Sequence, residues 1–256
     1  MTATPNLVLD SDAPGALDGR HLRAVTFQDV RLHYLNGVLR DRDISAAGAS
    51  AVVVGGGRGL LARGLARTGM EVVSVDPSPT ATELATRASY DEDLPVTYTS
   101  APAERPGLPD GAFDVAYYAD TFEITDDLDA VLAAAARLLR PGGALVYDTV
   151  NRTPLSRLIY LGAFQRFPGT RIMPPGRYTA ARLRPPAELA ARMAAHGLTG
   201  LDTCGFKPRS APALVKATRA RRAGRVTDDR LPSMVEFELD PDGPPLVTYL
   251  GHARRD

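Results

Sequence analysis

The chain has 256 residues, 44% of them hydrophobic and 23% charged, a composition that excludes disorder as a description of the whole. Lys+Arg and Asp+Glu both number 30, so the net charge is zero and no global field draws the chain to nucleic acid or to an anionic membrane. Its one cysteine, Cys204, cannot close an internal disulfide, no apolar run is long enough for a transmembrane helix, and the N-terminus lacks the basic-then-apolar order of a secretory signal; the expected location is cytoplasmic.

Residues 1–20 carry Pro, Gly, Asp and Ser without periodicity and read as a flexible arm. Residues 21–47 begin with Leu22, Val25, Val30, Leu35 and Leu39 at mixed helical spacings and predict one or two short covering helices. Ala51–Val54 is an apolar run that ends in glycines, followed by a helix from Leu60 that stops at Gly69. Further strands are expected at 71–75, 96–99, 113–119 and 144–150, with helices between them at 77–88 and 128–139. A helix over 186–196 and strands at 201–206 and 246–252 complete the series. Alternation of this kind predicts an α/β fold, a mostly parallel sheet with helices on both faces. Residues 21–256 read as one domain, with 155–185 as a lid or substrate segment and 207–245, Arg-rich and then Pro-rich, as an insertion between the last two strands.

The strongest chemical signal is Val54-Gly55-Gly56-Gly57-Arg58-Gly59 with Asp76 at the tip of the next strand. Glycines at 55, 57 and 59 let the backbone turn tightly and approach a ligand, and the helix that follows offers free N–H groups to an anion. An acid at Asp76 can accept both hydroxyls of a ribose. The dinucleotide fingerprint Gly-x-Gly-x-x-Gly fails, because Leu60 stands where its third glycine belongs; the spacing suits S-adenosylmethionine (SAM) better.

Several blocks together resemble the bacterial ubiquinone-biosynthesis O-methyltransferases, a group of the class I SAM-dependent methyltransferases: Gly55–Asp76, Phe113-Asp114-Val115 with Asp120 to Glu123, Leu138 to Gly143, Asp148-Thr149-Val150-Asn151-Arg152-Thr153-Pro154, and the ending Val247–Arg254. The resemblance spans roughly 22–205 and 246–255. It implies a Rossmann-like, seven-stranded sheet with an N-terminal helical cover, and SAM as cofactor. It implies cofactor contacts at Arg31 (to the SAM carboxylate), Gly55, Gly57, Gly59, Asp76, Pro77 and Ala119, and acceptor contacts at Asn151, Arg152 and Phe164. The chain departs from the group in three places. Val53 replaces the acid of the first strand, Val25 replaces an N-terminal histidine, and Ile124 replaces the histidine of a Glu-His pair. Asp120 and Glu123 keep two carboxylates that can hold Mg²⁺ through waters, and no protein-only metal site is expected.

Methyl transfer from a sulfonium needs alignment of the nucleophile and exclusion of water, and a phenol also needs its proton removed. Asp120, Glu123 and His33 are the candidate catalytic groups. The expected activity is methyl transfer to a small hydrophobic, phenolic or aromatic acceptor, with O-methylation favoured. C- or N-methylation of a secondary metabolite, and a SAM-binding protein without transfer activity, are the competing readings. The expected partner is a small molecule rather than nucleic acid. The apolar positions of 155–167, Leu155, Leu158, Ile159, Leu161, Phe164 and Phe167, suit either a core helix or peripheral membrane contact.

Overall fold

In the computed structural model, which describes residues 6–13 and 15–256, the first elements are two-residue strands, β1 (Asn6–Leu7) and β2 (Ala16–Leu17), paired in parallel. The described part of the expected arm is therefore packed: Leu17 is buried, and Asp18 caps the next helix by accepting from the N–H groups of Arg20 and His21. That helix, α1 (Gly19–Asp41), is one continuous element and not one or two short ones. Its buried stripe runs through Arg23, Phe27, Val30, Arg31, Tyr34 and Val38. Two arginines on the inward face broke the apolar rhythm on which the sequence reading relied.

The sheet then builds as predicted. β3 (Ser50–Val54), β4 (Glu71–Asp76), β5 (Val96–Ser100), β6 (Phe113–Tyr118) and β7 (Leu139–Val150) are parallel. β8 (Leu198–Pro208) and β10 (Thr248–Arg255) extend it, with β10 lying antiparallel between β7 and β8. The strand order is β5-β4-β3-β6-β7-β10-β8-β9. Seven of these strands match the expected set. The eighth, β9 (Phe237–Asp240), comes from the 207–245 insertion and pairs with β8; that insertion also forms helix α7 (Ala211–Arg222). Its prolines and arginines had suggested a break in the rhythm, yet Arg209 anchors it by pairing with Glu236 and Glu238.

Strand alternation assigns the two faces. Ala51 and Val53 of β3, with Val115 and Tyr117 of β6, meet α1 and α2 (Leu60–Ala66). Val52 and Val54 face the other way, toward Leu128, Val131 and Leu132 of α4 (Leu128–Leu138) and Leu189 and Met193 of α6 (Pro186–Ala195). α3 (Pro79–Asp91) starts where Ser78 accepts from the Ala81 N–H. A third core, including Leu17, Leu22, Val150, Tyr160, Met173, Tyr178, Ala217 and Leu231, joins the arm, the start of α1, the 155–185 segment and the insertion into one cap. Within that segment, α5 (Pro154–Ser156) runs on as a π-helix over Arg157–Ala163. It buries Tyr160 and leaves Leu155, Leu158 and Phe167 exposed.

Candidate functional site

The β3–α2 turn holds Gly55, Gly57 and Gly59 at φ +78, +53 and +72, in the left-handed region where a side chain is strained. A Cβ on Gly55 would lie 2.3 Å from the Ala119 carbonyl oxygen, so glycine is needed there for space as well as for conformation. Gly59 has a different task from the one predicted. Its Cα faces Tyr98 and Ala85, where a Cβ would stand 2.4 Å from the Tyr98 hydroxyl; it packs α2 onto β5 and does not border the crevice.

That crevice is bounded by Gly55, Gly57, Ala119, Asp120, Arg31 and His21. Asp76 sits beside it, buried, and accepts from the Gly57 N–H at 2.8 Å and the Ser78 N–H at 2.9 Å. Arg20 reaches the same carboxylate, Nη2 to Oδ2 at 2.5 Å, while its Nη1 donates to Asp10 at 2.8 Å. Arg58 ties the arm down from the other side, donating to Asp18 and to the Ser11 carbonyl. With the arm in this position the crevice holds only about 20 Å³. A second crevice of about 160 Å³ opens beyond Arg20, lined by Pro77, Pro102, Ala103, Glu104 and Ile124. Arg20 and Gly55 border both.

A buried charge cluster lies at the C-terminal ends of β6 and β7. Arg31 pairs with Asp148 at 2.7 Å and Asp120 at 2.9 Å. Arg23 pairs with Asp120 and donates to Glu123 at 3.5 Å and the Tyr178 hydroxyl at 3.2 Å. Thr149 donates to Glu123 at 2.9 Å. The Phe27 ring lies between the two guanidiniums, 5.2 Å from one and 5.6 Å from the other. Asp120 is held at φ +48, a conformation uncommon for a residue with a side chain, and its side chain is the only carboxylate of the cluster that borders the crevice.

The protonation preferences differ sharply. Burial opposes ionisation of Asp120, but Arg23 and Arg31 outweigh it and hold the carboxyl below the usual range. Burial pushes Asp148 up to about 7, against the pull of Arg31 and with help from Asp120. Burial also raises Glu123. His21 is lowered to about 4 by burial and by Arg58, which keeps its imidazole neutral.

Several expected site residues stand elsewhere. His33 is exposed on α1; two residues from Arg31 is about 200° around a helix, so the ring points away. Asn151 donates to the Pro245 carbonyl at 2.7 Å and accepts from the Arg152 N–H. Arg152 clamps the Leu183 carbonyl and pairs with Glu188. These two residues stitch β7 to the approach of β10 and to α6, and they do not line either crevice. Phe164 packs against Tyr160 and borders an apolar cavity next to Arg23. The sequence reading missed Arg20, His21, Arg23 and Asp148. All four lie within segments it had marked, but nothing in the linear pattern showed which side of α1 turns inward or that Asp148 of β7 meets Arg31 there. For Mg²⁺ the donor set is unsuitable: Asp120 and Glu123 face two guanidiniums that repel a cation. Among the described residues no group of three or more His, Cys, Asp or Glu is arranged to hold a metal ion, and no helix is long and apolar enough to cross a membrane.

A family model for a methyltransferase domain matches residues 52–147. The chain is 32% identical over 194 residues to a ubiquinone biosynthesis O-methyltransferase of Xanthomonas euvesicatoria, covering 74% of this chain and 77% of the relative. Among solved structures it is similar to magnesium protoporphyrin IX methyltransferase of Synechocystis (TM-score 0.58, 16% identity, 93% and 86% of the two chains) and to the cyclase SpnF (TM-score 0.57, 18% identity, 87% and 80%). Those two likenesses speak to the fold alone. With the strand order, the glycine turn and Asp76 beside them, the chain belongs to the class I SAM-dependent methyltransferases.

Proposed function

We propose that the chain transfers a methyl group to the hydroxyl oxygen of a small hydrophobic, aromatic acceptor. The observation that carries this reading is Asp120, which borders the glycine crevice and is gripped by Arg23 at Oδ1 and Arg31 at Oδ2. The residues around the crevice fit the cofactor. Gly55 and Gly57 present bare backbone, Asp76 is a buried carboxylate at a strand tip, and the crevice of about 160 Å³ beyond Arg20 is lined by Pro77, Pro102, Ala103 and Ile124, which offer apolar surface to a base. Arg31 keeps Nε without a partner, which leaves it a donor for a carboxylate. SAM supplies an electrophilic methyl on a sulfonium, activated before it binds.

The chain's share of the chemistry is position and charge. The guanidiniums of Arg23 and Arg31 favour negative charge on an acceptor oxygen brought next to Asp120. That oxygen loses its proton and gains the methyl, and the proton passes to Asp120 and from there to solvent. Asp120 is a weak base between two arginines, so electrostatic stabilisation of the oxygen contributes more than proton abstraction. The buried cap over the strand ends excludes water from this reaction.

The test is methyl transfer from radiolabelled SAM to a panel of phenols, catechols and amines, with titration of SAM and S-adenosylhomocysteine by calorimetry. Phenols or catechols are expected to be labelled at oxygen; labelling of amines alone would refute O-methylation. Asp76→Ala is expected to weaken binding of both cofactor forms at least tenfold, and unchanged affinity would refute its assignment to the ribose. The competing reading, a SAM-binding protein without transfer activity, predicts saturable SAM binding with no acceptor of the panel labelled.

A further inference from the structure

Asp148 is the most deeply buried acid of the charge cluster that faces α1. Strand alternation puts it on the same side of β7 as Ala144 and Val146, against otherwise apolar surroundings. It is fully buried and takes its one donated hydrogen bond from Arg31 Nη2 at 2.7 Å, while its Oδ1 has no donor. The same Nη2 pairs with Asp120 at 2.9 Å, and the Asp120 and Asp148 side chains are within hydrogen-bond reach of each other. Two carboxyl groups bond to each other only when one of them carries a proton. Their neighbours decide which one. Arg23 and Arg31 both act on Asp120 and keep it ionised, whereas burial pushes Asp148 up to about 7, with Asp120 and Glu123 adding and Arg31 opposing. Tyr117 of β6 faces the pair and Tyr34 of α1 approaches Tyr117; burial keeps both hydroxyls neutral. From β10 the cross-strand partner of Asp148 is Leu250, which does not titrate.

Arg31 borders the glycine crevice. A guanidinium offers a carboxylate two forked faces, Nε with Nη2 and Nη1 with Nη2, and both use Nη2. A ligand carboxylate that takes either fork competes for the nitrogen on which Asp148 depends. An ionised Asp148 left without it is a buried charge with no donor, which is far more costly than a neutral carboxyl that donates to Asp120. We propose that Asp148 is a positioning residue for the cofactor: it takes up a proton as the carboxylate of the cofactor's amino-acid end settles on Arg31, and as a neutral carboxyl it then steadies Asp120 at the crevice by donating to it. The assignment rests on the cofactor reading above and adds that cofactor and proton bind as one linked event. The proton comes from solvent, and only an O–H bond is made. Uptake is confined to ligands that carry a carboxylate at that end. Their affinity falls as pH rises past the point where free Asp148 ionises, because the proton must then be supplied on binding. Asp148→Asn, whose amide donates to Asp120 as the protonated carboxyl does, mimics the proton-loaded side chain at every pH.

The experiment is calorimetric titration of the full chain with S-adenosylhomocysteine at pH 8, in buffers of different ionisation enthalpy, which counts the protons taken up. The control ligand is 5′-methylthioadenosine, an adenosine thioether without the amino-acid end, and the control chain is Asp148→Asn. The unsubstituted chain is expected to take up roughly half a proton or more per S-adenosylhomocysteine and almost none with 5′-methylthioadenosine. In Asp148→Asn the uptake is expected to vanish, with affinity within about threefold of the unsubstituted chain at pH 6 and at least about threefold tighter at pH 8.5. Binding without uptake in the unsubstituted chain, equal uptake with the two ligands, or uptake retained in Asp148→Asn would overturn the assignment and leave the cofactor reading standing. The first two outcomes need no variant, so the assignment is decided even if Asp148→Asn does not fold. No S-adenosylhomocysteine binding at any pH would refute the cofactor reading, and this assignment with it.

Discussion

At the scale of single residues the Arg20–Asp76 pair is the sharpest feature. A ribose that bonds to Asp76 must displace or share a guanidinium already 2.5 Å away, and Arg20 is itself held by Asp10. Ion pairs with partial solvent access are worth on the order of 1 kcal/mol. Arg20→Ala is therefore expected to tighten S-adenosylhomocysteine binding severalfold in calorimetry, opposite in direction to Asp76→Ala; weaker binding would show that Arg20 helps to hold the ligand. The charge cluster makes a second prediction. Asp148 is raised to about 7 and Glu123 is raised as well, both first by burial. Between roughly pH 4, where such groups titrate when unfolded, and pH 7 the native chain binds more protons than the unfolded one. Stability falls as pH rises through that window and levels off above it. Asp120 runs the other way: its stabilising contribution is present above roughly pH 4 and is lost as pH falls toward its depressed folded value. His21, lowered to about 4, works against Asp148 below about pH 6.5, so the Asp148 share is read by difference: in thermal melts at pH 5 and pH 8, Asp148→Asn is expected to raise the Tm at pH 8 relative to that at pH 5, compared with the unsubstituted chain. The glycines and Asp76 were legible in the sequence because their chemistry is local to one turn and one strand tip. Arg20 and Arg23 were not, because each acts on a carboxylate some fifty to a hundred residues away.

Elements were readable where an apolar run is closed by a clear stop, such as Gly55 after β3, Asp76 at the tip of β4 or Pro141 after α4. β3, β4, β6 and α4 follow the expected alternation, and their predicted bounds differ from the observed ones by a residue or two. α1 was harder, since a helix whose inner face carries Arg23 and Arg31 looks irregular until their partners on β6 and β7 are known. The Asn151-Arg152 pair shows the opposite error. The family resemblance implied acceptor contacts at this distinctive polar block, whereas here its hydrogen bonds go to backbone carbonyls. The start of α1 is the joint between sheet and cap: a Cβ on Gly19 would stand 2.1 Å from the Ile172 carbonyl oxygen. Gly19→Ala is expected to push the cap off the helix and cost about 1–3 kcal/mol, seen as a Tm several degrees lower. An unchanged Tm would mean that the cap has slack.

For the molecule as a whole, alternation of strand and helix was enough to predict a parallel sheet, and the family resemblance supplied the seven-stranded plan. Neither indicated that the insertion would return as β9 to extend the sheet, because Phe237–Asp240 is short and flanked by prolines. The same topology bears on how the chain assembles. β10 fills the slot between β7 and β8, yet it follows both in sequence. While residues 248–255 are still being made on the ribosome, the β7 edge and the β8 edge face an open gap, each with unpaired backbone groups. Open edges of this kind recruit strands from neighbouring copies. A chain ended at Asp242 is thus expected to sediment as aggregate, and a synthetic peptide of residues 246–256 added during refolding is expected to recover soluble protein.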